Sequence, residues 1–315
     1  MRYAPTPNPA FRHEALIYRS EEEFLAGTVR FVRDAVAAGE PVLVAVSPEK
    51  AGLISERLNG ESEHVFFADM PQLGRNPARI IPVWREFVAE HLQEGSPVRG
   101  IGEPIWPERS PAELVECQRH EWLLNLAFAD APAWWLLCPY DAAALDSDVL
   151  ETAYVTHPYV ADNGHRHASS TYCDPLTGPD PFHGPLPPPA EKPDRLAFTL
   201  DELLTVRRLV SRRAAGAGLG RVRREDLLVA VNEVATNSLR HAGGQGTLSV
   251  WREDDSLLCE VRDSGLLHDP LVGRACPTPS QAAGRGLWLA NQLCDLAQIR
   301  SLPDGNVVRL RMSLS

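Results

Sequence analysis

Three short segments carry residue types that chemistry can use. Glu233 and Asn237 in NEVATNSLRHA are four residues apart, so on a helix they share one face about one turn from each other. Asp263 in VRDSG ends an apolar run and is followed by Gly265, which permits a sharp backbone turn. Gly284-Arg285-Gly286 opens a further helical stretch, where bare amides and the positive helix end are available to an anion. Taken singly, each segment also fits a plain role as solvated helix face, turn former or helix start. Their order along the chain is what gives them weight.

The elements that must position these residues follow from the hydrophobic pattern. Thr199-Leu200-Asp201-Glu202 reads as a capping box opening a helix to about Ala215, and Glu225 to His241 as a second helix. Strands are predicted at Thr247 to Arg252, Leu257 to Arg262, Ala297 to Ser301 and Val307 to Met312, with a helix at about Arg285 to Asp295. Helices followed by an antiparallel sheet indicate an α+β two-layer sandwich. Upstream, strand and helix alternate five times: strands at Ala15 to Tyr18, Val42 to Val46, Val65 to Ala68, Val98 to Gly102 and Trp134 to Cys138. Helices follow them from Ser20, from Ser47-Pro48, at Ala78 to Gln93, Pro111 to Phe128 and Ala142 to Tyr154. That alternation indicates an α/β domain with a parallel sheet. Residues 175 to 194 contain eight prolines and read as a semi-rigid linker, giving domains at 1–165 and 195–315 around a linker at 166–194.

Composition narrows the function. The chain of 315 residues carries 31 Lys+Arg and 42 Asp+Glu, a net charge of −11. Residues 1–194 hold 15 basic and 29 acidic groups, and residues 195–315 hold 16 and 13. Direct nucleic-acid binding is not expected from so acidic a first half. No apolar run approaches the roughly 18 residues that span a bilayer, and MRYAPTPNPAFRHE lacks a signal peptide's apolar stretch, so a cytoplasmic protein without membrane attachment is expected. The six cysteines form no C-x-x-C pair and read as reduced thiols. Lys50 and Lys192 are the only lysines, and neither lies in a G-x-x-x-x-G-K turn, so no P-loop is expected in the first domain.

E-x-x-x-N on a helix, then D-x-G after a strand, then G-x-G opening a helix resembles the Bergerat ATP-binding fold of the gyrase, histidine-kinase and chaperone superfamily. The wording NEVATNSLRHA, VRDSG and GRGLWLANQLCD is similar to the anti-sigma-factor serine kinases of bacterial partner switching, over residues 195 to 315. The resemblance implies ATP and Mg²⁺ as cofactors. It makes Asn237 the Mg²⁺ ligand, Glu233 the general base toward a substrate serine, and Asp263 the acceptor of the adenine amino group, with Gly265 admitting the ring. Gly284, Arg285 and Gly286 would receive the phosphates, Asn306 would lie beside the adenine, and residues 266 to 283 would form a lid. The chain departs from the family in having Leu267 at the second glycine of D-x-G-x-G, and Asn306 where relatives place a threonine.

In the first domain HEALIYRSEEEF, GIGEPIW, ECQRHEWLLNLAF and LLCPYD resemble the MEDS sensory domain of methanogen and methylotroph regulators, a RecA-like α/β fold. His13, Tyr18, Glu103, His120, Glu121, Cys138 and Asp141 occupy positions in that wording. Ligands of open α/β sheets bind at the carboxyl ends of strands, so Glu103 and the turn from Cys138 to Asp141 are the preferred candidates.

The two resemblances imply a cytoplasmic signalling regulator. A sensory domain, responding to a small molecule or a redox signal, would control a serine-protein kinase and anti-sigma factor. The expected partner is a sigma factor or an anti-sigma antagonist. Arg207, Arg208, Arg212 and Arg213 form a basic stripe that would suit an acidic partner. A sensor histidine kinase and a non-catalytic nucleotide-dependent binding module stay open as alternatives, as does assembly into a homodimer. His120 stands 117 residues before Asn237, near the spacing of a histidine kinase, but the proline-rich linker occupies the place of its helical hairpin.

Overall fold

The protein was studied as a computed structural model, which describes residues 11–60, 65–91, 97–277 and 284–314. The chain divides into two compact units between Phe182 and His183.

The first unit runs β1 (Phe11–Tyr18), α1 (Glu21–Ala37), β2 (Val42–Val46), α2 (Pro48–Leu58), β3 (Val65–Asp69), α3 (Met70–Leu73), α4 (Ile80–His91), β4 (Val98–Gly102), α5 (Pro111–Ala127), β5 (Trp134–Asp141), α6 (Ser147–Thr156), β6 (Tyr159–Asp162) and β7 (His165–Ala168). The sheet order is β3-β2-β4-β5-β1-β6-β7, parallel except for β7. The α/β expectation holds, and β6 and β7 extend it. Their sequences, YVAD and HRHA, are too short and polar to stand out as strands.

Local signals hold too, with one refinement. Ser110 and Glu113 complete a capping box on α5. At α1, Ser20 accepts from the Glu23 amide, but the Glu23 carboxylate takes the Arg19 N–H instead of its own cap. On β4, a Cβ at Gly100 would stand 2.7 Å from the Trp84 ring, so glycine there makes room for the buried indole of α4. Residues 92 and 93 of the expected helix lie outside the described residues.

The second unit runs β8 (Asp194–Phe198), α7 (Leu203–Gly216), α8 (Arg221–His241), β9 (Gly246–Glu253), β10 (Ser256–Asp263), α9 (Arg285–Leu293), β11 (Leu296–Leu302) and β12 (Gly305–Ser313). Its antiparallel sheet has the order β11-β12-β10-β9-β8. Alternate residues, among them Leu248, Val250, Leu257, Cys259, Val261, Leu310 and Met312, form one core with Val210, Leu227, Val231, Val234 and Leu287 of the helices. This period of two against 3.6 is the pattern of helices packed on a sheet. The Thr199–Glu202 box caps a 3₁₀ turn that leads into α7. Strand β8, DRLAF, is hidden in the sequence because it is short, opens on two charged residues and follows the proline-rich stretch.

Residues of the expected linker carry hydrogen bonds within each unit. In the first unit Arg119 donates to Asp180 at 2.8 Å and the Trp122 indole to the Cys173 carbonyl at 2.9 Å. In the second, Arg309 donates to the Pro187 carbonyl at 2.8 Å, beside its own ion pair with Glu260. Proline carbonyls remain acceptors even where proline removes donors. Among the described residues no helix is long and apolar enough to cross a membrane.

Candidate functional site

In the second unit the three segments converge. A Cβ at Gly286 would lie 2.9 Å from Asn237 Nδ2 and 3.0 Å from Glu233 Oε2, so α9 starts directly against the face of α8 that carries both. Glycine is what permits that approach. Gly284 caps α9 with φ of +89°, in the left-handed region that a side chain disfavours. Arg285 follows it, exposed, in the first turn. Glu233 and Asn237 are half-buried, and among the described residues their side chains make no hydrogen bond.

Asp263 ends β10 directly opposite Asn306 of β12. Its Oδ1 accepts from Asn306 Nδ2 and from the Gly265 amide, each at 2.9 Å, and its Oδ2 accepts from the Ser238 hydroxyl at 2.6 Å. Ser301 donates to Asn306 Oδ1 at 2.8 Å and accepts from the Leu267 amide at 2.8 Å. The carboxylate is thereby held in one orientation, and Oδ2 retains acceptor capacity. Gly265 is required by crowding, since a Cβ there would stand 2.8 Å from the Ala242 methyl and 2.9 Å from Asn306 Nδ2.

These groups border one cavity of about 290 Å³, whose lining includes Asn237, Asp263, Leu267, Gly284, Leu287 and Asn306. Its lining combines Asn237, Asp263 and Asn306 with apolar Val234, Leu266 and Leu287, the composition of a small-ligand pocket. Glu233 stands one helical turn from Asn237, outside the lining. Of the expected lid, residues 278–283 lie outside the described residues, and 266–277 form turns and irregular backbone. Sequence reading missed Ser238 and Ser301. Ser238 lies within NEVATNSLRHA without a role of its own there, Ser301 lies in no motif, and both matter only through partners distant in the chain.

The seven candidates of the first unit separate into two groups and a remainder. Tyr18, Glu103 and Asp141 lie at the carboxyl ends of β1, β4 and β5, and Lys50 of α2 joins them. Lys50 Nζ donates to Glu103 at 2.6 Å and to the Tyr18 hydroxyl at 2.7 Å, and Tyr18 donates to Glu103 at 2.9 Å. Burial raises the Glu103 carboxyl, and Lys50 opposes the rise. Burial and the Glu103 charge raise the Tyr18 phenol. Lys50 has no motif around it, and only the pairing of β2, which leads into α2, with β4 brings it to Glu103.

The second group is buried. His13 of β1, Glu121 of α5 and Cys138 of β5 meet His157, the residue after α6. Burial and the neighbouring His157 bring the His13 imidazole down to about 4, and burial with Glu121 pushes the Cys138 thiol well up. His120 is buried on α5 but belongs to neither group. Cys138 and Asp141, expected to act from one turn, stand on one strand and serve different groups.

Residues 12–158 match the family described as MEDS, the methanogen/methylotroph, DcmR sensory domain, and residues 196–312 match the histidine kinase-like ATPase domain. The chain therefore carries these two domains in this order. The RsbU and RsbW domains of Rv1364c from Mycobacterium tuberculosis are similar at 19% identity and a TM-score of 0.29, over 38% of this chain and 32% of that one. This chain thus covers about a third of that protein's length. The Acinetobacter baumannii histidine kinase AdeS is similar at 10% identity and a TM-score of 0.23, over 40% of this chain and 70% of that one. No curated protein matches the chain.

Proposed function

We propose that this protein is a cytoplasmic signalling regulator whose MEDS-type domain, spanning about residues 1–165, governs an ATP-binding serine-protein kinase and anti-sigma factor at residues 195–315. The observation that carries the reading is the Asp263 carboxylate, fixed by Ser238, Gly265 and Asn306 in the lining of a cavity that Asn237 also lines. The residues present fit a nucleotide of the Bergerat type. Asp263 retains an acceptor for an exocyclic amine, Asn237 offers an amide oxygen with no competing partner among the described residues, and Gly286 leaves a cradle that a Cβ would fill. A bound Mg²⁺ would offset the charge of the phosphates.

In this reading Asn237 holds the cation, Gly284, Arg285 and Gly286 receive the phosphates, and Asn306 with Ser301 orients Asp263 toward adenine. Glu233, one turn from Asn237, takes the proton from an incoming serine hydroxyl. Arg207, Arg208 and Arg212 are exposed on α7 and would meet an acidic sigma factor or antagonist. The histidine-kinase alternative is disfavoured by His120, which is 1% exposed and so closed to phosphotransfer. The binding-module alternative draws on Leu267, which lines the cavity and packs on the core where relatives have glycine. Titrating the full chain with Mg·ATP, then assaying phosphate transfer to a serine-bearing antagonist, tests the proposal. Saturable binding with transfer supports the kinase, binding alone supports the sequestering module, and no binding overturns both.

A further inference from the structure

The buried group in the first unit has the makings of a site of its own. His13, Glu121, Cys138 and His157 are each at most 1% exposed, and one ligand atom from each falls within 4.8 Å of all the others. Glu121 Oε2 lies 3.0 Å from His13 Nε2, 3.4 Å from Cys138 Sγ and 3.3 Å from His157 Nε2, and His13 Nε2 lies 3.4 Å from Cys138 Sγ. Bonds of about 2.0 to 2.3 Å in a tetrahedron separate ligand atoms by rather more than 3 Å, so small outward shifts would seat a cation among them.

The hydrogen bonds around the cluster fix which atoms face inward. Asn125 Nδ2 donates to the carbonyls of Thr156, Glu121 and Trp122, which sets the amide so that Oδ1 accepts from His13 Nδ1 at 3.1 Å. His157 Nδ1 faces the Ala153 carbonyl at 2.9 Å and donates to it. Both imidazoles thus carry their proton on Nδ1 and turn the Nε2 lone pair toward a carboxylate oxygen. Three acceptors converge, with the Cys138 S–H as the one proton between them. Glu121 Oε1 and His157 Nε2 are moreover buried without a hydrogen-bond partner. An imidazolium at His13 would relieve one contact and leave both of those atoms unsatisfied.

We propose that His13 Nε2, His157 Nε2, Cys138 Sγ and a Glu121 carboxylate oxygen form a closed binding site for a divalent cation of the zinc class. Two imidazoles, one thiolate and one carboxylate make a borderline-soft donor set that suits Zn²⁺ and Co²⁺ and disfavours Mg²⁺ and Ca²⁺. On binding, the Cys138 S–H bond breaks, its proton goes to solvent, and the sulfur electron pair forms the metal–thiolate bond. The dication, thiolate and carboxylate then sum to zero charge, as a fully buried site requires. All four positions come from protein, so the site is structural and ties β1, β5, α5 and the α6–β6 junction together. Asn125 and the Ala153 carbonyl orient the two imidazoles from outside, as the partners of metal-bound histidines do.

The test uses the full-length protein. Purified after growth with zinc and stripped of loosely held metal by gel filtration, it should retain about one zinc per chain by mass spectrometry. Cobalt in place of zinc should give a thiolate-to-cobalt charge-transfer band and the strong visible bands of a tetrahedral ion. Cys138→Ser should abolish the charge-transfer band, and Asn125→Ala should weaken zinc affinity about 10- to 100-fold. Should the variants fail to fold, the parent's thermal midpoint should still rise with zinc and fall with a chelator. A parent with no retained zinc, a midpoint indifferent to both additions, or a cobalt band that survives Cys138→Ser would each overturn the proposal.

Discussion

Asn306 donates from its side-chain nitrogen to Asp263 Oδ1 at 2.9 Å, from the residue directly opposite Asp263 on the paired strand. Asn306 therefore orients the carboxylate, while the Ser301 hydroxyl orients the asparagine.

Asp263→Ala removes a charged acceptor and should weaken ATP binding by about 1.5–3 kcal/mol, while Asn306→Ala, which keeps the carboxylate, should cost about 0.5–1.5 kcal/mol. Calorimetry with ATP and GTP on the full chain measures both. Equal affinity of parent and Asp263→Ala for ATP, with the same preference over GTP, would refute the adenine assignment.

Glu233→Gln and Asn237→Ala should behave differently, although the residues are one turn apart. Losing the general base should lower phosphate transfer about 10²- to 10⁴-fold and leave Mg·ATP affinity within a few fold. Losing the metal-binding amide should lower both. If the two variants show the same ratio of binding loss to transfer loss, the division of roles is wrong.

Gly286→Ala should spare stability and harm binding. The new methyl meets the movable ends of Asn237 and Glu233 and, at 3.3 Å, the Glu233 Cβ, so both side chains shift out of place, while the helix gains propensity worth up to about 1 kcal/mol that offsets the crowding. Gly52→Ala in α2, with open space around it, should stabilise by a similar amount and leave ATP affinity alone. Denaturant midpoints read beside ATP affinities separate the two effects.

Gly305→Ala should instead destabilise. Its φ of +128° and a Cβ only 1.9 Å from the Asp263 carbonyl force the β11–β12 turn to move, at a cost of at least about 1–3 kcal/mol. Loss of ATP binding should accompany the lowered midpoint, because the strand end carrying Asp263 moves with it.

Lys50→Met should leave the Glu103 carboxyl without its cation and cost about 1–3 kcal/mol, less than a fully buried pair because Lys50 is 27% exposed. Burial already holds the Glu103 pKa above its unfolded value, and removing Lys50 raises it further. The folded state then binds the extra proton, so stability is lost as pH rises from the unfolded value through the folded one. Denaturation at about pH 5 and about pH 8 should show the larger deficit at the higher pH. A deficit independent of pH would mean that Lys50 acts through packing alone.

The sequence by itself determined the order of the longer elements, because strand and helix periods, caps and glycine positions are local. Ser110 with Glu113, the VLVAV run of β2 and the E-x-x-x-N face of α8 are readable without knowing what lies opposite them. Tertiary structure decided which distant residues meet. Placing β1 between β5 and β6 brings His13 to Cys138 and to His157, residues separated by more than a hundred positions. The pairing of β2 with β4 delivers Lys50, at the start of α2, to Glu103, and the pairing of β10 with β12 delivers Asn306 to Asp263. Strand order and register are set by burying whole faces together, a property of the assembled sheet that no short window of residues contains.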